Sequence, residues 1–284
     1  MGGTKPLQGV RVVALVINLP GPIAAARLRD MGAQVVKVEP PEGDPVGAVS
    51  PDWYRSLTEG QEVVRLNLKE PAGRARLGEL LDRADLLLTS TRPDALQRLG
   101  LDWPSLSARH PRLCQAAIVG YPAPIENRAG HDLTYQAGLG LLGPPGLPRT
   151  LIADLAGAER AVSATLALLL ARERGQGPGY AQIALADAAA SFAAPLRYGL
   201  TTPGGPLGGG LSSYSLYQAR GGGWIAVAAL EPHFLRRLQE ELGVAHASQA
   251  ELTAAFAKKT AEDWETWATE QGLPIAALRD PTAG

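Results

Sequence analysis

Four histidines and one cysteine are available for chemistry in this 284-residue chain, and their spacing narrows what they can do. No histidine has a partner four residues on and none neighbours Cys114, so metal-ligand spacing is absent and no metal site is expected. His110 precedes Pro111 at an expected helix end, His233 follows Pro232 at a helix start, and His246 falls between helices; solvated or capping roles suffice for all three. His131 differs. It lies in Ala129-Gly130-His131-Asp132, where glycine allows close approach and Asp132 is placed to cap the next helix, whose N-terminal dipole favours a neutral imidazole or a bound anion. One reading is a poised base; the other is an exposed histidine at an ordinary capped helix start, which spacing alone favours.

Three carboxylates invite the same weighing. Asp154, in LIADLAG, is an acid among apolar residues at the start of a long helix; burial would raise its pKa and backbone N–H groups would lower it. It is a candidate acid or nucleophile, or simply an N-cap. Glu231 opens a helix after WIAVAAL. Glu39 ends a strand where acidic residues often meet a ribose, although a plain strand-end carboxylate explains it as well.

The elements that would position these groups alternate. RVVALVI (11–17), AQVVKVE (33–39), VVRLNLK (63–69), ADLLLTS (84–90), RLCQAAIVGY (112–121) and YAQIALA (180–186) read as strands. Helical patterns fall between them, at 21–31, from Pro71 onward, around 93–100, 103–110, 132–142 and 155–174. That alternation predicts an α/β fold: a Rossmann-like, mostly parallel sheet with helices on both faces. No GxGxxG or GxxxxGK[ST] follows the first strand, and Gly138-Leu139-Gly140 falls inside a predicted helix, which removes most support for a nicotinamide or P-loop site. After residue 200 the pattern changes to a hairpin around Arg220–Gly223 and helices at 232–242, 249–258 and 261–271, a smaller α+β domain. The expected organisation is a large domain at 1–200, a glycine-rich linker at 201–212, a small domain at 213–272 and a final segment at 273–284.

Composition bounds the partners. With 27 Lys+Arg against 28 Asp+Glu the net charge is −1, and no basic block answers nucleic-acid phosphates or an anionic membrane surface. The longest apolar run, 161–171, is well below the ~20 residues of a bilayer span. The start MGGTKPLQGV has no apolar leader core and a single cysteine cannot form an internal disulfide, so a cytoplasmic protein with a small-molecule partner is expected.

Taken together, PLQGVRVVAL, LPGPIAAARLRDMGAQVVKVEPPEGD, TRPDALQRLGL, RAGHDLTYQA, LIADLAG, RGQGPGYAQIALADA and YSLYQARGGGWIAVAALEPHF resemble the family III coenzyme A transferases, the CaiB/BaiF family, from Leu7 to about Ile275. GHD at 130–132 and ALEPHF at 229–234 are most similar to the α-methylacyl-CoA racemase branch. That resemblance implies 1,1-proton transfer at the α-carbon of a 2-methylacyl-CoA, with His131 and Asp154 on opposite faces and Glu231 orienting His131. Backbone N–H groups at the helix starts after Asp132 and Asp154 are the expected oxyanion donors. In the transferase branch the residue matching Asp154 is instead a nucleophile, through which coenzyme A is moved between carboxylic acids by way of an aspartyl intermediate. The resemblance also implies that coenzyme A, as part of the substrate and with no further cofactor, runs along Lys37, the turn of Thr89, Ser90 and Arg92, and Gly130, Asp132 and Tyr135, and that two chains form a homodimer able to interlock. Two departures are visible: Glu59 and Glu62 stand where relatives tend to carry bases, so that they would repel coenzyme A phosphates, and the C-terminal segment is short. They motivate a further alternative, a non-catalytic member with a degraded site.

Overall fold

The structure, a computed structural model, describes residues 4–280. The chain divides between Ala193 and Ala194 into two units. In the first, β1 (Arg11–Leu15), β2 (Gln34–Glu39), β3 (Glu62–Arg65), β4 (Leu86–Thr89), β5 (Cys114–Val119) and β6 (Tyr180–Ala184) form one sheet in the order β3-β2-β1-β4-β5-β6. Every pairing in it is parallel. Between them run α1 (Pro20–Asp30), α2 (Pro45–Val49), α3 (Pro51–Thr58), α4 (Pro71–Leu81), α5 (Pro93–Arg98), α6 (Trp103–Arg109), α7 (Asp132–Gly138) and α8 (Ile152–Ala171), with α9 (Leu185–Phe192) after β6.

Continuous apolar strands are what a sheet covered on both faces requires. Val12, Ala14, Leu86 and Leu88 face one core, shared with α1 and α8. The residues between them, Val13 and Leu87, face a second core closed by Leu77 and Leu81 of α4, Leu96 of α5 and Leu106 of α6. Proline opens many of these helices, at the first turn of α1 through α6, where its missing N–H has no intrahelical partner to lose. The predicted helix at 132–142 is shorter than expected. It stops at Gly138, and Gly140 takes a left-handed φ of 71°. The helix predicted from 155 starts three residues earlier, at Ile152, which brings Asp154 into its first turn.

The second unit holds α10 (Ala194–Arg197), an antiparallel sheet β7 (Tyr214–Gln218), β8 (Trp224–Ala228) and β9 (Ile275–Ala277), and helices α11 (Pro232–Leu242), α12 (Gln249–Phe256) and α13 (Ala261–Gln271). Tyr217, Ile225, Phe256 and Trp264 centre its core. Two expectations change here. The stretch 201–212 is not a linker but a wound segment of this unit, in which Gly204 N–H donates to Gly208 O at 2.9 Å and Gly210 N–H to Gly205 O at 2.8 Å. A Cβ on Gly208 would stand 1.8 Å from Thr202 O, so glycine density there reflects close packing of backbone on backbone rather than freedom. Of the expected final segment, Ile275–Ala277 completes the small sheet beside β8, while 281–284 lie outside the described residues. Among the described residues no helix is long and apolar enough to cross a membrane.

Candidate active site

The strand order reverses direction between β1 and β4, and in open parallel sheets of this kind ligands bind in the crevice beyond the carboxyl ends at that point. Two cavities lie there. The larger, about 620 Å³, is walled by Leu15, Val38, Leu66 and Leu99, with Asn67, Thr91, the cations Lys69 and Arg98, and the carboxylates Glu39 and Glu42 among its lining. The smaller, about 200 Å³, shares Ile17 with it and is the more polar.

The smaller cavity is where the predicted site residues meet. His131, Asp154, Gly130, Tyr135, Ser90 and Arg92 all line it. His131, not Asp132, is the N-cap residue of α7; its N–H donates to Thr134 Oγ1 at 3.0 Å, and that hydroxyl donates to His131 O at 2.8 Å. The imidazole-bearing backbone is thus fixed while the residue stays exposed to the cavity. Asp132 turns the other way. It is buried, and its Oδ1 accepts from Ala153 N–H at 2.7 Å and Asp154 N–H at 3.1 Å, while Gln136 Nε2 donates to Oδ2. It therefore caps α8 rather than its own helix and does not line either cavity, a correction to its expected place along coenzyme A. The same bonds occupy the first N–H groups of α8, so these are not free as oxyanion donors.

That cap explains Asp154. A carboxylate in a helix's first turn ordinarily gains from the free N–H groups and the dipole; here Asp132 has taken those groups and placed its own charge beside them. Burial of Asp154 and the Asp132 charge push its pKa up from 3.8 to about 6, against a smaller lowering by His131. Burial likewise pushes the Tyr135 hydroxyl up to about 12, leaving it a neutral donor at physiological pH. The Tyr135 ring packs edge-on to Tyr121, with centroids 5.1 Å apart. A Cβ on Gly130 would come within 2.6 Å of Tyr135 Cε1, so Gly130 is glycine for the sake of that ring.

On the β1 side, Ser90 Oγ accepts from Ile17 N–H at 3.2 Å. Asn18 follows with a left-handed φ of 66°. Pro20 and Pro22 leave two positions at the start of α1 without an N–H. Thr89 is buried, its hydroxyl unpartnered, and it lines neither cavity. Lys37 is also corrected: its ammonium is fully withdrawn from solvent between Glu39 Oε1 at 2.5 Å and Asp44 Oδ2 at 2.6 Å, so no phosphate reaches it. Lys69 and Arg98 are the cations beside the larger cavity. Glu39 does line that cavity. Glu59 and Glu62 sit at the amino end of β3, at the opposite end of the strand from Asn67 and Lys69, so their charges do not face the crevice. Glu231 belongs to the second unit, exposed ahead of Pro232 at the start of α11. Sequence reasoning missed Asn18, Glu126 and Arg128, which line the smaller cavity. Arg128 was within reach, because it directly precedes Ala129-Gly130-His131 and stacks its guanidinium 4.8 Å above Tyr121.

A parallel sheet with a crevice at its switch point, lined by a histidine and a carboxylate of raised pKa, is an α/β scaffold of the kind that holds small ligands at that crevice. Residues 7–283 match the model of CoA-transferase family III, and the chain belongs to that family, a family of enzymes. It is 25% identical over 322 aligned positions to the acetyl-CoA:oxalate CoA-transferase of Acetobacter aceti, covering 97% of this chain and 81% of that one. It is 32% identical to the human α-methylacyl-CoA racemase, covering 84% of this chain and 65% of the relative. The crystal structure of a hypothetical protein from Mycobacterium tuberculosis superposes with a TM-score of 0.84 at 27% identity, over 98% of this chain and 86% of that one.

Proposed function

We propose that the chain moves the α-proton of an acyl-CoA thioester between His131 and Asp154, in the manner of a 2-methylacyl-CoA racemase. The observation that carries this reading is that both groups line one 200 Å³ cavity from two different helix starts, with the Asp154 pKa near 6. A carboxyl group at that value is a competent base when ionised and a competent acid when protonated. The His131 imidazole takes the proton from one face of the α-carbon, the thioester becomes an enolate, and protonated Asp154 returns a proton to the opposite face; the reverse direction exchanges the roles. Charge on the enolate oxygen falls to the donors that remain free at this cavity, the Arg92 and Arg128 cations and the neutral Tyr135 hydroxyl. The apolar larger cavity suits the nucleotide end of coenzyme A, with Lys69 and Arg98 meeting phosphate charge.

A second reading is favoured by the relative that acts on acetyl-CoA and oxalate along 97% of this chain. Asp154 Oδ would attack the thioester carbonyl, expelling coenzyme A thiolate and leaving an acyl–aspartyl anhydride; the thiolate then attacks the aspartyl carbonyl, releasing the first acid. The acceptor carboxylate attacks the aspartyl thioester, expelling the thiolate again, which attacks the acceptor carbonyl of the second anhydride to give the new acyl-CoA and free Asp154. Incubation with 2-methylacyl-CoA in D2O separates the two. Deuterium at the α-carbon without any acceptor acid supports proton transfer. Coenzyme A transfer to oxalate with no such exchange supports the second reading, and neither product overturns both.

A further inference from the structure

Lys37, Glu39 and Asp44 form a cluster of three charged side chains with no solvent exposure. Taking charges out of water is costly even where pairing is close, and apolar residues of similar volume often serve stability as well or better. What this cluster fixes is therefore the question. Asp44 Oδ2 accepts from Lys37 Nζ, which anchors the carboxylate to β2. Its other oxygen, Oδ1, accepts from Val46 N–H and from Asn18 N–H, both at 3.1 Å. Asn18 is the left-handed residue of the β1–α1 turn and lines the smaller cavity. The adjoining amide, Ile17 N–H, is held from the opposite side by Ser90 Oγ. Two successive amides of a wall of the reaction cavity are thus gripped by side chains from β2's loop and from β4's end.

We propose that Asp44, anchored by Lys37, is a positioning residue that holds the Asn18 wall of the reaction cavity in register with His131 and Asp154. It touches no reacting atom. The inference rests on the acyl-CoA reading above for its kinetic consequence, but the hydrogen bond to Asn18 can be tested without it. Small displacements of a cavity wall lower the chemical step more than binding, since near-attack geometry is lost while coenzyme A contacts remain.

Asp44→Ala removes the acceptor and Asp44→Asn keeps a carbonyl oxygen in its place. The alanine variant is expected to lose at least tenfold in kcat for α-proton exchange or transfer, with KM for the acyl-CoA within threefold, and to lose hydrogen-exchange protection across residues 15–20. The asparagine variant keeps an acceptor for the Asn18 amide but turns an NH2 toward Lys37 Nζ, so it is expected to lose the anchor and to fall between wild type and alanine in both readouts. A folded alanine variant with wild-type kcat overturns the proposal, as does an asparagine variant that is fully active, which would show that the Lys37 anchor positions nothing. In the unaltered chain the Asn18 amide is expected to exchange at least a hundredfold more slowly than an exposed amide. Exchange at the free rate overturns the proposal even where Asp44→Ala does not fold. A wild-type chain inactive on every acyl-CoA tried would refute the function reading instead, and amide exchange would then decide the Asp44 assignment alone.

Discussion

Replacing Asp154 with asparagine removes a charge that the fold holds at a disadvantage, and the size of that disadvantage follows from its pKa. The folded value is about 6 against 3.8 for the free group. Because the folded pKa is the higher one, the native state binds this proton more tightly than the unfolded chain does. Stability contributed by the neutral carboxyl is therefore intact below about pH 4 and is lost as pH rises through the interval to about 6. Two pKa units correspond to about 3 kcal/mol, and partial contact with solvent brings the expected figure to about 2–3 kcal/mol at pH 7.5. Asp154→Asn, which cannot ionise, should raise the unfolding free energy by that amount at pH 7.5, by about 1 kcal/mol at pH 4.5, and by almost nothing below pH 4. Urea denaturation of both proteins at the three pH values measures it. A gain that stays constant with pH would mean that asparagine merely packs better. No gain at neutral pH would mean that Asp154 is not held against its charge, and the base assigned to that position would lose its physical ground.

Further outcomes follow from the same geometry. His131→Ala should abolish α-deuterium incorporation; full activity in the alanine variant would refute the pairing with Asp154. The rate of the wild-type reaction in the direction that needs Asp154 as base should fall tenfold per pH unit below about 6, read from kcat/KM profiles. Gly130→Ala should collide with the Tyr135 ring and lower kcat by at least tenfold, detectable alongside a loss of near-ultraviolet tyrosine signal. The double variant Glu59→Lys, Glu62→Lys should leave KM for acyl-CoA within twofold, because both residues sit at the amino end of β3; a large fall in KM would return them to the binding surface.

Local sequence carried the scaffold further than the site. Strands such as 84–90 were legible because a short apolar run, here Leu86, Leu87 and Leu88, set between helical patterns fits a strand of a sheet covered on both faces, and all three leucines are buried. His131 and Asp154 were legible as candidates through their motifs, yet nothing in a linear string says that Asp132 reaches across to the start of α8. Lys37 shows the same limit: the resemblance placed it along coenzyme A, and nothing in the linear string says that the carboxylates of Glu39 and Asp44 close around it. Glu59 and Glu62 misled because charge was counted without the direction of β3. The glycines at 204–210 misled because composition cannot separate a chain that is loose from one wound too tightly for any side chain.

Asp132 sits next to His131 in sequence and bonds the backbone of Asp154 in space, so the two groups proposed to carry the proton are tied together by one short side chain. Their separation behaves as a gauge length built into the protein, set by a hydrogen bond rather than by the substrate. A scaffold of that kind can diversify only around the gauge. On the proposed acyl-CoA reading, lengthening or shortening the residue at 132 would shift Asp154 against His131 and so change whether one α-carbon can meet both.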